Sequence, residues 1–215
     1  MRQRKLKNLD EKLEEYGRYR LTNARELRGR WSGYFGVNAD IYLEIGSGKG
    51  RFLMSRAEAF PENCYVGFEC QQSVLVRALE KACRAELSNI VFADEKVYDI
   101  RSYFAENELA GIYLNFSDPW PKARHAKRRL THRDNLKAYR EVVRGGGFIE
   151  FKTDNDDLFE FTLEEIGIAG LEIAEQTRDL HSSGLESGKF TTEYEEKFSS
   201  QGKNINYVRI CIDKR

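Results

Sequence analysis

"IYLEIGSGKGRF", residues 41–52, joins a short apolar run to a glycine-rich turn and then to the start of a helical pattern. The apolar run is too short for a helix and is stopped by glycines, which favours a strand. After the turn, Phe52, Leu53 and Ala57 recur at helical spacing. A strand, a tight turn and a helix in this order predict the first unit of a parallel sheet.

The same unit recurs along the chain. Further apolar runs, separated mostly by helical patterns, lie at residues 64–69, 89–93, 111–116, 148–151, 171–177 and 205–212. This alternation predicts an α/β fold: a doubly wound, Rossmann-like and mostly parallel sheet of seven strands in a single domain. The last two runs are joined by a long loop without a clear crossover helix, which predicts an antiparallel edge strand.

Charge is unevenly distributed along a chain whose formal net charge is zero. Lysine and arginine crowd residues 2–7, 18–30 and 122–133, whereas acidic residues fill 150–165 and 193–196. Residues 1–30 have no sustained apolar face, so we expect a basic N-terminal arm before a single domain at residues 31–215. The arm is either a solvated, partly disordered leader or a segment that a polyanion orders, and the sequence leaves both open.

Composition argues against several classes of protein. The apolar runs are far shorter than a membrane span, and no apolar stretch follows the basic N-terminus, so we expect no signal peptide and a cytoplasmic location. The four cysteines form no CxxC pair and the three histidines match no zinc-binding spacing. We therefore expect reduced, mostly structural thiols and no metal site.

The glycine-rich turn carries the pattern Glu44-x-Gly46-x-Gly48-x-Gly50. Glycines here let the backbone approach a ligand at the carboxyl ends of parallel strands, beside the positive end of the following helix. The dinucleotide fingerprint G-x-G-x-x-G has its third glycine one residue later, and a Walker loop has Ser or Thr where Gly50 stands. The pattern instead resembles the first motif of class I S-adenosylmethionine-dependent methyltransferases, which implies that Glu44 and the three glycines face the methyl donor.

Two later strand ends offer further contacts to a nucleoside. Glu69 closes the second predicted strand, where an acid can accept hydrogen bonds from both ribose hydroxyl groups. Residues 94–97 follow the third strand and should border the adenine ring, mainly through backbone groups. Glu69, Glu95 and Lys96 are therefore candidate donor-binding residues.

The fourth strand ends in "NFSDPWP", residues 115–121, across the sheet from the glycine turn. Pro119 and Pro121 fix φ and keep the segment out of a helix, so Asp118 and Trp120 are presented on a stiff backbone. Adenine-N6 methyltransferases carry a comparable Asn/Asp-Pro-Pro-aromatic stretch. Standing alone, the stretch would be a turn with a half-buried tryptophan.

Several motifs in a fixed order resemble those of the bacterial tRNA (guanine-N7-)-methyltransferase family. They are LEIGSGKG (43–50), YLNFSDPWPK (113–122), RHAKRR (124–129), FKTDN (151–155), DLH (179–181) and TEYEEKF (192–198). The combination in this order is far more specific than any one motif. The resemblance implies methylation of a guanosine in the variable loop of tRNA, with S-adenosyl-L-methionine as the methyl donor.

The resemblance also implies roles for individual residues. Glu44, Glu69 and Asp118 would contact the methyl donor, with Asp118 as the catalytic residue. The residues implied in substrate binding are Lys122, Asp154, Thr192, Glu193, Tyr194 and Glu195.

At one position the chain departs from the family pattern. The acidic residue that the family places shortly after the third strand falls on Lys96 here. A lysine side chain cannot accept the hydrogen bond of the adenine amino group, so the Lys96 backbone, Asp94 or Glu95 must accept it.

The basic segment, residues 122–133, is the candidate RNA interface. Contacts to RNA phosphates are expected from Arg124, His125, Lys127, Arg128 and Arg129. If the segment is helical, one face carries Lys122, His125, Arg129 and His132. The alternative is an ordinary solvated helix face. Tyr194 and Trp120 could stack on a base that has left its own stack.

Three alternatives are open on the sequence alone. The protein could methylate adenine N6 or ribosomal RNA through the same donor pocket, or it could be a nucleotide-dependent oxidoreductase, against which the early third glycine argues. It could also be a non-catalytic RNA-binding module. The joint presence of Glu44, Glu69 and Asp118 with the glycines argues against that last function. Whether the protein is a monomer or a homodimer is also open.

Overall fold

The computed structural model describes residues 8–199 and 202–214. Within them the α-helices are α1 (Leu9–Glu15), α2 (Trp31–Phe35), α3 (Arg51–Ala59), α4 (Gln72–Arg84), α5 (Arg133–Val142), α6 (Asp156–Ala169) and α7 (Glu193–Ser199). The strands are β1 (Arg20–Leu21), β2 (Ile41–Ile45), β3 (Cys64–Phe68), β4 (Ile90–Ala93), β5 (Leu109–Asn115), β6 (Val143–Thr153), β7 (Glu172–Thr177) and β8 (Asn206–Cys211). Short 3-10 helices lie at Gly17–Tyr19, Ala24–Leu27, Ile100–Ser102, Ala123–Arg128 and Glu186–Lys189.

The strands form one sheet in the order β1-β4-β3-β2-β5-β6-β8-β7. Strands β1 to β6 are parallel to one another, and β8 is antiparallel to both of its neighbours, β6 and β7. The predicted α/β class, the mostly parallel sheet and the antiparallel pairing at the edge formed by β7 and β8 are confirmed. The sequence predicted seven of these strands; the eighth is the two-residue β1, which extends the sheet beside β4.

The central strands are buried on both faces. Every residue of β3 and of β5 is buried. Leu43 and Val66 point into the apolar layer that also contains α5 and α6, whereas Tyr65 and Tyr113 point into the layer beneath α3 and α4. Burial on both sides explains why these strands are continuous apolar runs in the sequence.

The described part of the predicted arm packs against the sheet. Leu13, Tyr19 and Ala24 of this arm are buried. Beside β1, the Asp94 amide donates to the Leu21 carbonyl at 2.8 Å. This part of the arm therefore belongs to the core and the sheet, whereas its basic residues 2–7 lie outside the described residues.

The strand order reverses between β2 and β5. From β2 the chain builds outward through β3 to β4, and it then returns to place β5 on the other side of β2. At such a point the loops that follow the two strands diverge and leave a crevice at the carboxyl edge of the sheet. Glu44 lies opposite Tyr113 in the β2–β5 pair, and Asn115 lies opposite Lys152 in the β5–β6 pair. The last residues of three neighbouring strands therefore meet at this crevice.

Within the described residues, 8–199 and 202–214, no helix is both long and apolar enough to cross a membrane. In the same ranges no group of three or more His, Cys, Asp or Glu side chains is placed to hold a metal ion. The cysteines are free thiols: Cys64 is buried, Cys211 is half-buried, and Cys70 and Cys83 are exposed.

Candidate functional site

A buried carboxyl group lies near the carboxyl end of β2. Glu44 is 1% exposed, and its Oε1 accepts a hydrogen bond from the side-chain amide of Asn115 at 2.8 Å. Oε2 of Glu44 and Oδ1 of Asn115 are buried without a hydrogen-bond partner among the described residues. Burial raises the pKa of Glu44 to about 8, and the negative charge of Glu193 adds to the increase. When Glu44 is ionised, these two oxygens are unsatisfied acceptors and suit a cationic group that donates hydrogen bonds.

The glycine turn between β2 and α3 needs its glycines for two different reasons. Gly46, Gly48 and Gly50 have φ of 80°, 58° and 77°, which is the left-handed region that glycine enters without strain. A Cβ added to Gly46 or Gly48 would meet no atom within 4 Å, whereas at Gly50 it would lie 2.9 Å from the side chains of Ala78 and Phe92. Gly50 therefore allows close packing below the turn, and the other two glycines leave open space beside it.

Glu69, directly after β3, lies beside the same turn. Its Oε2 accepts from the Gly48 amide at 3.1 Å, and its Oε1 accepts from the Gln71 amide at 2.8 Å. Burial raises the pKa of Glu69, although these backbone N–H groups act in the opposite direction. The carboxylate is thus held next to the glycine turn, at the strand end where the sequence predicts a ribose-binding acid.

The loop after β4 is tied to the N-terminal segment. The Asp94 carboxylate accepts from Nε of Arg20 at 3.0 Å, and the Glu95 carboxylate accepts from the Ala24 amide at 2.8 Å. Lys96 is exposed. The two acidic side chains therefore already have partners within the protein.

The loop after β5 has a constrained shape. Phe116 and Trp120 have φ of 51° and 41°, values that non-glycine residues rarely adopt. The Arg129 guanidinium donates to the carbonyls of Pro119 and Trp120 at 3.0 and 3.1 Å. Asp118 lies within this segment and is exposed. The protein therefore presents an exposed acid on a backbone that is held from one side by arginine.

The basic segment is not an α-helix. A 3-10 helix spans Ala123–Arg128, Arg129 is extended, and α5 begins only at Arg133. His132 is the N-cap of α5, since its Nδ1 accepts from the Asp134 amide at 3.2 Å. The basic side chains of this segment therefore do not share one helical face, because the 3-10 helix ends at Arg128 and α5 begins only after the His132 cap.

The side chains of the basic segment separate into two groups. Those of Lys122, Arg124, Lys127 and Arg128 belong to exposed residues, whereas His125 and Arg129 are half-buried. The Arg128 guanidinium lies 5.0 Å from the Trp120 ring centroid, and the His125 ring meets Trp120 edge-on at 5.7 Å. Arg129 turns inward, with its guanidinium 4.1 Å from the Phe161 ring centroid. Its contact with the Asp118 loop was missed by the sequence analysis, which grouped it with the RNA-contacting residues.

Asp154, after the end of β6, is joined to α7. Its carboxylate accepts from the Tyr194 hydroxyl at 3.2 Å and from the Lys203 ammonium at 3.3 Å. The side-chain cap of α6 is supplied by the next residue, Asn155. The Tyr194 ring lies 5.0 Å from the Phe116 ring. The structure therefore brings Asp154, Tyr194 and the Asp118 loop to one place.

The N-terminus of α7 is a capping box. The Glu195 amide donates to Oγ1 of Thr192 at 2.9 Å, and the Thr192 amide donates to Oε2 of Glu195 at 3.3 Å. The Glu195 side chain is fully buried, 3.6 Å from the Lys152 ammonium. Glu193 forms an ion pair with Lys81, whose ammonium also donates to the carbonyl of Lys49 in the glycine turn. The T-x-x-E spacing at residues 192–195 is the local sequence signal for this cap.

Two buried polar residues at the site were not assigned from the sequence. Asn115 orients Glu44, and Lys152 contacts Glu195. Asn115 ends an otherwise apolar strand, and a polar residue at that place was the available signal. Lys122 and Arg124 are exposed, and their predicted contacts to the substrate stay predictions.

The fold and this arrangement define a Rossmann-like methyltransferase. The sheet order reverses beside a strand that ends in an acid and a glycine turn, a second acid follows the next strand, and a rigid Asp-Pro loop follows the strand on the other side. A family model described as "Putative methyltransferase" matches residues 38–208. A solved structure of the 16S rRNA methyltransferase KamB has a TM-score of 0.65 at 13% identity, covers 86% of this chain and 94% of its own, and so supports the fold.

Sequence relatives narrow this class to one family. A tRNA (guanine-N(7)-)-methyltransferase of Geobacillus sp. (strain WCH70) is 46% identical over 195 residues, which is 91% of this chain and 88% of the relative. The enzyme of the same name from Streptococcus suis (strain 05ZYH33) is 43% identical over 208 residues, 97% of this chain and 98% of the relative. The chain belongs to the tRNA (guanine-N(7)-)-methyltransferase family, which confirms the resemblance found in its motifs.

The raised pKa of Glu44 predicts a pH-dependent stability. Its pKa rises from 4.5 to about 8 on folding, so its contribution is fully present below pH 4.5 and is lost as the pH rises through 8. The Glu44→Gln variant has no such loss. We expect its free energy of unfolding, relative to the natural protein, to increase by up to about 1.4 kcal/mol per pH unit over this range. Urea unfolding from pH 5 to 9 measures the difference.

The matched control is Glu172→Gln, which changes an exposed acid at the start of β7. Its difference from the natural protein should be nearly independent of pH. A Glu44→Gln difference as flat as that of the control would contradict the buried, largely protonated carboxyl group.

Proposed function

We propose that this protein transfers a methyl group from S-adenosyl-L-methionine to N7 of a guanosine in the variable loop of tRNA, in the cytoplasm. The family supports the choice of tRNA and of guanine N7. The observation that carries the proposal is the juxtaposition of a polar donor pocket at Glu44 and Asn115 with the rigid loop that presents Asp118. Both lie at the carboxyl edge of β2 and β5.

The pocket fits this methyl donor. When bound, the donor supplies an electrophilic methyl group on a sulfonium centre. The unsatisfied oxygens of Glu44 and Asn115 would accept hydrogen bonds from its amino group, and the donor's positive charge would favour the ionised form of Glu44. The open space at Gly46 and Gly48 would admit it, and Glu69 would hold its ribose hydroxyl groups.

The role of Asp118 follows from the chemistry of guanine. N7 carries an in-plane lone pair and no proton, so no general base is needed before it attacks the methyl carbon. The methylated ring becomes cationic, and a carboxylate within hydrogen-bonding reach stabilises that charge as it develops. Asp118 can also accept from N1–H and the N2 amino group of guanine, which adenine lacks in that arrangement. We therefore assign Asp118 to orientation and electrostatic stabilisation.

The RNA would be bound on the surface around this loop. The exposed residues Lys122, Arg124, Lys127 and Arg128, together with His125, would contact phosphates while the target base leaves its stack. Tyr194 is 44% exposed and lies near the Asp118 loop, so its ring is available to a flipped base. Asp154 and Glu193 would complete the pocket on the side of α7.

The central test is incubation of the protein with unmodified tRNA and S-adenosyl-L-methionine that carries a labelled methyl group. Nucleoside mass analysis should find 7-methylguanosine, and mapping should place it in the variable loop. Label in N6-methyladenosine, or in ribosomal RNA but not in tRNA, would favour the alternative substrates. Absence of donor binding in calorimetry would favour the non-catalytic RNA-binding module.

Replacing Asp118 with Asn tests its electrostatic role. The amide keeps the size of the side chain but has no charge and can offer an N–H group to the base. We expect kcat to fall at least a hundredfold, because removing one group that stabilises the transition state typically costs that much. Donor affinity, measured by calorimetry, should change far less. Turnover close to that of the natural protein would refute this assignment.

Two neighbouring arginines separate loop positioning from phosphate binding. Arg129→Gln removes the contacts to Pro119 and Trp120, so we expect kcat at saturating tRNA to fall about tenfold or more. Arg128→Gln should instead weaken tRNA binding and reduce the slope of log K against log salt concentration by about one, with little change in kcat. Filter binding across salt concentrations and steady-state kinetics give both quantities. The same effect in both variants would contradict the distinction.

A further inference from the structure

The buried ammonium group of Lys152 has no role in the site as described so far. Lys152 is the next-to-last residue of β6, and its side chain is 0% exposed. A charged group in such a place is strongly destabilising unless it is hydrogen-bonded and paired. Its partners therefore show what the protein uses it for.

The hydrogen-bond and ion-pair partners of Lys152 belong to the segment before and within α7, and its ammonium also lies 5.3 Å from the Phe52 ring centroid in α3. Its Nζ donates to the carbonyls of Ser187 and Phe190, both at 2.7 Å, and lies 3.6 Å from Oε2 of Glu195. These contacts match the three N–H groups of an ammonium. Burial lowers the pKa of Lys152, and the charges of Glu195 and then Glu150 oppose that change.

The carboxylate that faces Lys152 is also the one that closes the capping box of α7. Oε2 of Glu195 accepts from the Thr192 amide, and Oε1 lies 3.2 Å from Nε2 of His181. The lysine thus holds the first turn of α7 through the helix cap itself. The surface ion pair of α7 with Lys81 is partly exposed, and pairs of that kind contribute little.

The first turn of α7 is where the helix meets the substrate side of the site. Tyr194 contacts the Phe116 ring and donates to Asp154. The donor side is built from other elements: Glu44 is oriented by Asn115, and Glu69 is held by the Gly48 amide. A shift of this turn would therefore disturb the bound base more than the bound donor.

We propose that Lys152 is a positioning residue which, through Glu195 and the carbonyls of Ser187 and Phe190, fixes the first turn of α7 so that Tyr194 and Asp154 receive the target base. The role rests on the proposed function. It assigns to Lys152 and to Glu195 the same task, which is to shape the tRNA side of the site without contact to the RNA. His181 closes the far side of the Glu195 carboxylate.

The test compares Lys152→Met with the matched control Arg209→Met. Each change removes the cation beside a buried acid. For Lys152 that acid is Glu195, and for the control it is Glu150, which lies 3.2 Å from the Arg209 guanidinium. Both should lower the unfolding temperature. Only Lys152→Met should raise KM for tRNA, by about tenfold or more. Its Kd for S-adenosyl-L-methionine should change clearly less, although the Lys152 charge also lowers the pKa of Glu44.

A second variant keeps the test decisive if Lys152→Met does not fold. Lys152→Met combined with Glu195→Gln leaves no uncompensated buried charge, so it should recover stability. It should keep the high KM for tRNA, because the contacts to Ser187 and Phe190 stay lost. A folded Lys152 variant with a natural KM, or one whose donor Kd rises as much as its KM, would overturn the proposal.

Amide hydrogen exchange measures the same role without an activity assay. Amides at residues 193–197 should exchange at least tenfold faster in Lys152→Met and at the natural rate in Arg209→Met. If the natural protein does not methylate tRNA, the proposed function fails while this result can still be obtained. Unchanged exchange in Lys152→Met would refute the positioning role by itself.

Discussion

The Glu44 carboxyl group is buried although one of its two oxygens has no hydrogen-bond partner among the described residues. The reversal of strand order beside β2 brings it to the crevice, and Asn115 from the neighbouring strand satisfies one oxygen only. An unsatisfied buried acceptor costs about 1–3 kcal/mol, which a ligand that donates a hydrogen bond would recover. The unsatisfied oxygen of Glu44 therefore lowers the stability of the protein without a ligand and increases its affinity for a ligand that donates a hydrogen bond. Neighbouring contacts keep the glycine turn in place beside Glu44. The side chains of Ala78 and Phe92 pack below Gly50, and Glu69, directly after β3, accepts a hydrogen bond from the Gly48 amide.

The acceptor side depends on backbone strain in the same way. Phe116 and Trp120 keep unfavourable φ values because neighbours hold them: Tyr194 against the first ring, and Arg129 on the carbonyl of the second residue. Strain of this kind persists only where the surroundings over-determine it. Since β2 and β5 are adjacent in a buried sheet, the distance between the donor pocket and the Asp118 loop is set by strand pairing. Rigid elements of this type hold reacting groups more reliably than loops alone.

The sequence predicted what depends on local pattern and missed what depends on packing. Apolar runs separated by helical periodicity were enough for the sheet, because strands buried on both faces must be apolar throughout. The two residues of β1 carry no such pattern, and their pairing with β4 arises from tertiary contacts. Arg128 and Arg129 look equivalent in a basic run, yet one lies on Trp120 and the other beneath the loop. The roles of Glu44, Glu69 and Asp118 stay predictions, now supported by their positions.

The pairing of the N-terminal segment with the loop after β4 determines how early this segment can reach its final position during synthesis. Arg20 and Asp94 are 74 residues apart in the chain, and Ala24 and Glu95 are 71 apart. The N-terminal segment is thus synthesised long before its partners, and it cannot dock until β4 has left the exit tunnel. A nascent chain that stops short of β4 contains the whole glycine turn but lacks the loop after β4. The N-terminal segment therefore takes its final place only after about half of the chain has been made.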